Sequence, residues 1–217
     1  VVSAGGGSTA GLIAVKKGAI DIGGMSRDLT GVEDDENTRS YLIGRDGIAV
    51  VLNAENKVND LTVGQVRDLF EGKIENWKEI GGADATVAVC IREEGSTTRL
   101  GFEEMVMRGA DYSTESVEYS SHKALYDGIM KNKGSIGYYR GFWLGSELGK
   151  KVKAVTIDGV EMTKWTMLSG RYPLTRSLYL VTNEEPKGNP KRFVDFICSG
   201  VGQDLIEKRG AIPVYSE

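Results

Sequence analysis

Apolar runs alternate with helical patterns along this chain, and the alternation predicts an α/β architecture. Val1-Val2-Ser3-Ala4 reads as a strand running into Gly5-Gly6-Gly7-Ser8-Thr9, with a helix over 9–17. Asp21-Ile22-Gly23-Gly24 reads as a short buried strand and Ile48-Ala49-Val50-Val51-Leu52 as a strong one, with a polar, acidic stretch over 31–40 between them. Thr62 is placed to cap a helix over 63–71, where Val66, Leu69 and Phe70 fall at helical spacing. Trp77 and Ile80 belong to a short helical segment. A strand over 86–91 leads into a helix over 97–108. A helix over 121–132 precedes a strand at 135–139. Further strands are expected at 152–157, ending in an Asp158-Gly159 turn, and at 178–181. Helices over 189–198 and 200–208 close the chain.

No low-complexity linker or short repeat cuts the chain into sequential beads. Its 217 residues can hold one large domain or two small lobes. With 40% hydrophobic and 27% charged residues it has the balance of a folded protein rather than a disordered one. The net charge of -4 gives no general attraction to nucleic acid or to anionic lipid. An anionic ligand must therefore be drawn in by local groups. No apolar run approaches the ~20 residues that span a bilayer. A natural chain rarely begins inside a strand, so a segment is expected upstream of Val1.

The two cysteines, Cys90 in a strand pattern and Cys198 in an amphipathic helix pattern, read as buried free thiols. A disulfide between them stays open, since two positions do not determine pairing. A single histidine argues against a zinc site of cysteine and histidine ligands, and no cofactor is expected. The run Glu33-Asp34-Asp35-Glu36 lacks the alternating ligand spacing of a calcium loop and reads as solvated surface. Trp77, Trp143 and Trp165 read as packing residues.

The chemistry concentrates in two similar segments, each a strand, a turn rich in glycine and hydroxyl residues, and a helix start. One is Gly5-Gly6-Gly7-Ser8-Thr9-Ala10-Gly11; the other is Arg92-Glu93-Glu94-Gly95-Ser96-Thr97-Thr98-Arg99. The first N–H groups of a helix have no intrahelical partner, and the macrodipole places about half a positive charge there. Glycine allows an oxyanion close to the backbone, and Ser and Thr hydroxyls add donors. Arg92 adds a charge-assisted contact. Either segment alone also fits an ordinary helix cap. Gly5-x-Gly7-x-x-Ala10 is a weak match to a dinucleotide fingerprint, and neither segment ends in the Gly-Lys-Ser/Thr of a P-loop.

These residues bring out a likeness to a known family. The chain resembles the PstS-type phosphate-binding proteins, the periplasmic-binding-protein family that serves phosphate ABC transporters. The likeness is carried by Gly7-Ser8-Thr9-Ala10-Gly11, by the run from Ala19 to Asp28 and by Asp46-Gly47-Ile48-Ala49-Val50-Val51-Leu52-Asn53. It continues through Phe70-Glu71-Gly72-Lys73-Ile74, Asn76-Trp77, the Arg92–Arg99 segment, Gly134-Ser135-Ile136-Gly137-Tyr138, Tyr172-Pro173-Leu174-Thr175-Arg176 and Tyr179-Leu180-Val181-Thr182. These stretches are collinear over nearly the whole chain.

The resemblance implies a two-lobed fold with a mixed sheet in each lobe and two hinge strands. Lobe 1 is expected over 1–52 plus 179–217 and lobe 2 over 53–178, with inorganic phosphate between them and closure about the crossing strands. The family's first serine contact falls on Ser8, and its second-lobe contacts on Arg92, Ser96, Thr97 and Thr98. Some members place an aspartate that accepts the phosphate proton where this chain has Ser26; Asp46 is the candidate substitute. Such an acceptor would disfavour unprotonated sulfate. The implied role is extracytoplasmic, at the periplasmic or extracellular face of the membrane, with ABC-transporter permease subunits as partners. Nucleic acid is not an expected partner. Membrane contact is implied only through a lipid anchor outside this chain. Relatives begin with a strand, a Ser/Thr-rich loop and a long helix, a unit of roughly thirty residues or more, before the point matching Val1.

Two other readings stay open on the sequence. A phosphate-ester hydrolase built on Ser96 needs a base within reach, and His122, the only histidine, reads as an exposed or capping residue. A sensing or assembly module with an incomplete site would be completed by another chain.

Overall fold

A computed structural model describes residues 7–140 and 151–214; the expected strand at 1–4 and Trp143 lie outside the described residues. The fold is mixed α/β. The elements run in the order α1 (Gly7–Lys16), β1 (Gly23–Met25), β2 (Thr38–Asn53), β3 (Asp60–Leu61), α2 (Val63–Glu71), β4 (Ala88–Arg92), α3 (Thr97–Phe102), β5 (Val117–Tyr119), α4 (His122–Lys131), β6 (Ser135–Arg140), β7 (Val152–Ala154), β8 (Thr156–Ile157), α5 (Lys164–Leu168), β9 (Thr175–Asn183), α6 (Gly188–Cys198) and α7 (Gly200–Lys208). The short elements β3, β5 and α5 carry too few residues to show a periodicity, and the sequence reading did not find them.

The chain divides into two compact units, Val1–Asp46 with Arg176–Glu217, and Gly47–Thr175. The unit boundaries fall inside β2, at 46/47, and inside β9, at 175/176; the cuts expected at 52/53 and 178/179 lie in or beside the same two strands.

In the first unit β1 pairs antiparallel with β9, Gly24 opposite Leu180, and β9 neighbours β2. Leu12 and Val15, three apart on α1, bury their side chains with Met25 and Val181. The helix comes close to the strand because both contact points are glycine. A Cβ on Gly23 would sit 3.1 Å from the Gly11 carbonyl oxygen and 3.0 Å from a Val181 methyl. This close seat fixes the first turn of α1 against the chain leaving β1.

In the second unit β2 pairs antiparallel with β6 on one side and with β7 on the other. Strand β4 runs parallel to both β6 and β5, so the sheet is mixed. Helix α2 carries the full reciprocal cap that Thr62 foretold, with Gln65 returning the bond and Gly72 closing the helix at φ 79°. Helix α3 covers only part of the expected 97–108 helix; its continuation, 103–107, widens into a π-turn ending at left-handed Arg108. Phe70, Phe102 and Tyr138 form the aromatic centre, with Phe102 stacked on Tyr138 at 4.2 Å between centroids. A second cluster joins Ala49, Val51, Cys90, Leu125, Ile129 and Val152 beneath α4.

Two further sequence readings change. Trp77 is buried and donates to the Gly134 carbonyl at 2.9 Å, but Trp165 is exposed and lies under the Arg171 guanidinium instead of packing in a core. Cys90 is buried, while Cys198 is only half-buried at the end of α6; no disulfide joins them. Among the described residues no helix is long and apolar enough to cross a membrane, and no acidic, histidine or cysteine cluster could hold a metal ion.

Candidate functional site

The first unit holds Ser8, Ser26 and Asp46. Ser8 lies in the opening turn of α1, and Ser26 follows β1 directly. The close helix–strand seat brings them together. The Ser26 N–H donates to Ser8 Oγ at 3.0 Å, and the two hydroxyls lie 3.3 Å apart. Both are half-buried. Each hydroxyl keeps rotational freedom to turn its proton outward.

Arg27 stands beside this pair. It donates to Thr9 Oγ1 and grips Glu33 with two hydrogen bonds of 2.7 and 2.8 Å. The guanidinium holds the Glu33 carboxyl at about 2, aided by Thr30. Asp35 likewise takes Lys16 of α1 at 2.8 Å. The acidic run is therefore partly a set of clasps on α1 and the post-β1 turn, not simply solvated surface. Periodicity cannot reveal this, because the pairing is tertiary.

Asp46 is 3% exposed and accepts from Arg176 Nη2 at 3.2 Å. Each member of this pair is the residue of its own segment that borders the second unit.

The second unit holds Arg92, Ser96, Thr97 and Thr98 on the turn from β4 to α3. Arg92 closes β4, and its N–H donates to the Tyr138 hydroxyl at 3.0 Å. The aromatic centre thus sets the backbone position of the arginine. Its side chain is buried and forked: Nε and Nη2 donate to the two Glu93 oxygens at 2.8 Å each. Nη1 is buried with no hydrogen-bond partner among the described residues. Gly95, at φ 82°, supplies the left-handed residue that turns the chain into the helix. Ser96 caps α3, accepting from the Arg99 N–H at 3.4 Å. Thr97 is exposed and Thr98 is 2% exposed.

Sequence reasoning missed the residues that hold this turn. Arg99 donates to the Arg92 carbonyl and to Glu103 and Glu118, and lies over the Tyr112 ring. His122 is neither exposed nor the cap; Ser121 caps α4 and His122 is half-buried in its first turn. Its Nε2 lies 3.4 Å from Thr98 Oγ1, and its ring contacts Tyr139. Burial, then the charges of Arg92 and Arg140, push its pKa down to about 4. His122 hydrogen-bonds Thr98 and not Ser96, whose oxygen serves as the helix cap, so no serine–histidine dyad forms. A buried cation with an open N–H beside hydroxyl donors suits an oxyanion, not a nucleophilic step.

Comparison with known proteins agrees with that chemistry. Residues 1–201 match the PBP superfamily domain. The chain is 30% identical over 213 residues to the phosphate-binding protein PstS of Bacillus subtilis, covering 96% of this chain and 69% of that one. The crystal structure of an ABC-type phosphate transport receptor from Vibrio cholerae superposes with a TM-score of 0.83 at 30% identity, over 95% of this chain and 85% of that one. A Clostridium perfringens structure, assigned as a phosphate ABC-transporter substrate-binding protein with bound phosphate, is 37% identical with a TM-score of 0.67, over 96% and 85%. The chain belongs to the PBP superfamily and, within it, to the PstS phosphate-binding proteins.

Proposed function

We propose that this chain is a solute-binding protein that takes up inorganic phosphate outside the cytoplasm and delivers it to an ABC transporter through that transporter's permease subunits. It binds its ligand without transforming it. The observation that carries the reading is Arg92 Nη1, a buried charged donor with no partner among the described residues, beside the capped turn of Ser96, Thr97 and Thr98. An unpaired buried guanidinium N–H is costly unless a ligand meets it. A phosphate oxygen meets it with a charge-assisted hydrogen bond.

In this reading Arg92, Ser96, Thr97 and Thr98 donate to the anion, and Ser8 and Ser26 donate from the other segment. Asp46 is the candidate acceptor for the phosphate proton, its carboxylate fixed by Arg176. Calorimetry with phosphate, arsenate and sulfate tests the whole reading. Phosphate and arsenate are expected to bind and sulfate to bind far more weakly. No heat with phosphate, or equal affinity for sulfate, would sink it.

A further inference from the structure

His122 was read from the sequence as a bystander, yet it touches a residue of the proposed anion site. Thr98 Oγ1 has one proton to give. Its hydrogen bond to His122 Nε2, at 3.4 Å, runs in one of two directions. If Thr98 donates to the ring, its oxygen turns lone pairs toward the anion. If the ring donates to Thr98, the hydroxyl proton is left for the anion.

The surroundings choose between these. His122 Nδ1 is buried without a partner among the described residues. In the Nδ1–H tautomer an N–H is buried without an acceptor among the described residues, and in the Nε2–H tautomer a lone pair is buried there instead. A buried donor without an acceptor is the costlier of the two, and the Arg92 and Arg140 charges acting on the ring disfavour a further proton on it. We infer that His122 is a positioning residue of the phosphate site, donating from Nε2 to Thr98 Oγ1 so that the Thr98 hydroxyl proton points to the bound oxyanion. This rests on the proposed phosphate binding and adds to it a source of donor polarity.

The imidazolium would donate from Nε2 as well, so the choice of tautomer decides the direction only while the ring is neutral. Arg92 and Arg140 oppose protonation and Glu93 favours it, with burial the largest influence. The other ionisable groups on the packed elements are engaged elsewhere: Glu118 with Arg99, Lys123 with Asp127, Lys153 with Asn59 and Tyr119 with Cys90. A bound anion offsets the arginine charges, so phosphate is expected to move the His122 midpoint upward from about 4.

His122 is the only histidine, so nitrogen-15 NMR reads its tautomer without assignment. The Nε2–H form is expected at pH 7 without ligand, and an upward midpoint shift on adding inorganic phosphate. In calorimetry His122→Phe, which keeps a ring against Tyr139, is expected to weaken phosphate about three- to tenfold, the loss of one aligned hydrogen bond. His122→Gln, which restores an N–H donor, is expected within about twofold of the parent. An Nδ1–H tautomer overturns the inference whether or not phosphate binds. So does unchanged affinity in His122→Phe, or equal weakening in both variants, which would mark a packing role only. Wild-type protein that takes up no phosphate overturns the proposed function and this inference together.

Discussion

Glu93 holds Arg92 by two parallel hydrogen bonds, Nε to Oε2 and Nη2 to Oε1, each 2.8 Å long. That fork occupies one edge of the guanidinium and fixes its plane, so Nη1 points from a rigid group. Lysine has the charge but not the fork, and cannot meet a carboxylate and an anion with fixed geometry at once. Arg92→Lys is expected to weaken phosphate about ten- to hundredfold, the range of a hydrogen bond to a charged group. Titration calorimetry reads the change. Parent-like affinity in the lysine variant would remove Arg92 from the ligand shell.

The same pair predicts a pH signature. The hydrogen bond from Arg92 is the main cause that holds the Glu93 carboxyl at about 2. Its folded value lies below that of an unfolded glutamate. The pair's contribution to stability is therefore complete above about pH 4.5 and is lost as pH falls toward 2. Thermal midpoints of wild type and Glu93→Gln are expected to differ at pH 7 and to converge in that window. Glu33 and Asp35, held down by Arg27 and Lys16, titrate in both proteins and cancel from the difference. A gap that stays constant from pH 7 to pH 2.5 would contradict the pairing.

The two glycine–hydroxyl segments were legible because helix starts advertise themselves through Gly, Ser and Thr. Ser8 opens α1, and Arg92, Ser96 and Thr98 lie on the turn from β4 to α3, the two helix starts that local chain reading singled out; Ser26 entered only through the family resemblance. What stayed hidden is what holds them. Tyr138 meets Arg92 from 46 residues away, and Arg176 meets Asp46 from 130 away. Such pairings leave no periodic trace, since each depends on strand neighbours that are distant in sequence. His122 escaped for a related reason: its burial comes from Tyr139 and the β4–α3 turn, not from the α4 pattern.

Asp46 and Arg176 give a separate test. Asp46 is 3% exposed, and the Arg176 side chain is 14% exposed with its Nε unpartnered among the described residues. Removing the carboxylate charge leaves a buried cation short of its counter-ion, a loss of about 3 kcal/mol in comparable buried pairs. Asp46→Asn is expected to lower the urea midpoint accordingly. If Asp46 also accepts the phosphate proton, the variant's preference for phosphate over sulfate falls with it. An unchanged preference would confine Asp46 to the Arg176 pair.

Adjacent glycines in β1 make a matched pair of substitutions with opposite expected outcomes. A Cβ on Gly23 would meet a Val181 methyl at 3.0 Å, a Val15 methyl at 3.1 Å and the Gly11 carbonyl at 3.1 Å. The last is helix backbone, so α1 has to move outward to admit it. Overpacking of this kind costs about 1–3 kcal/mol. The shift also pulls Ser8 away from the Ser26 N–H, now 3.0 Å distant, so phosphate affinity is expected to fall as well. A Cβ on Gly24 meets nothing within 4 Å, and Gly24 has no positive φ that would strain alanine. Gly24→Ala therefore trims unfolded-chain entropy at no steric cost and is expected to match or exceed wild-type stability by about 0.5 kcal/mol. Urea midpoints and phosphate calorimetry on both variants check the contrast. Equal behaviour of the two would show that the seat of α1 on β1 is not what sets Ser8.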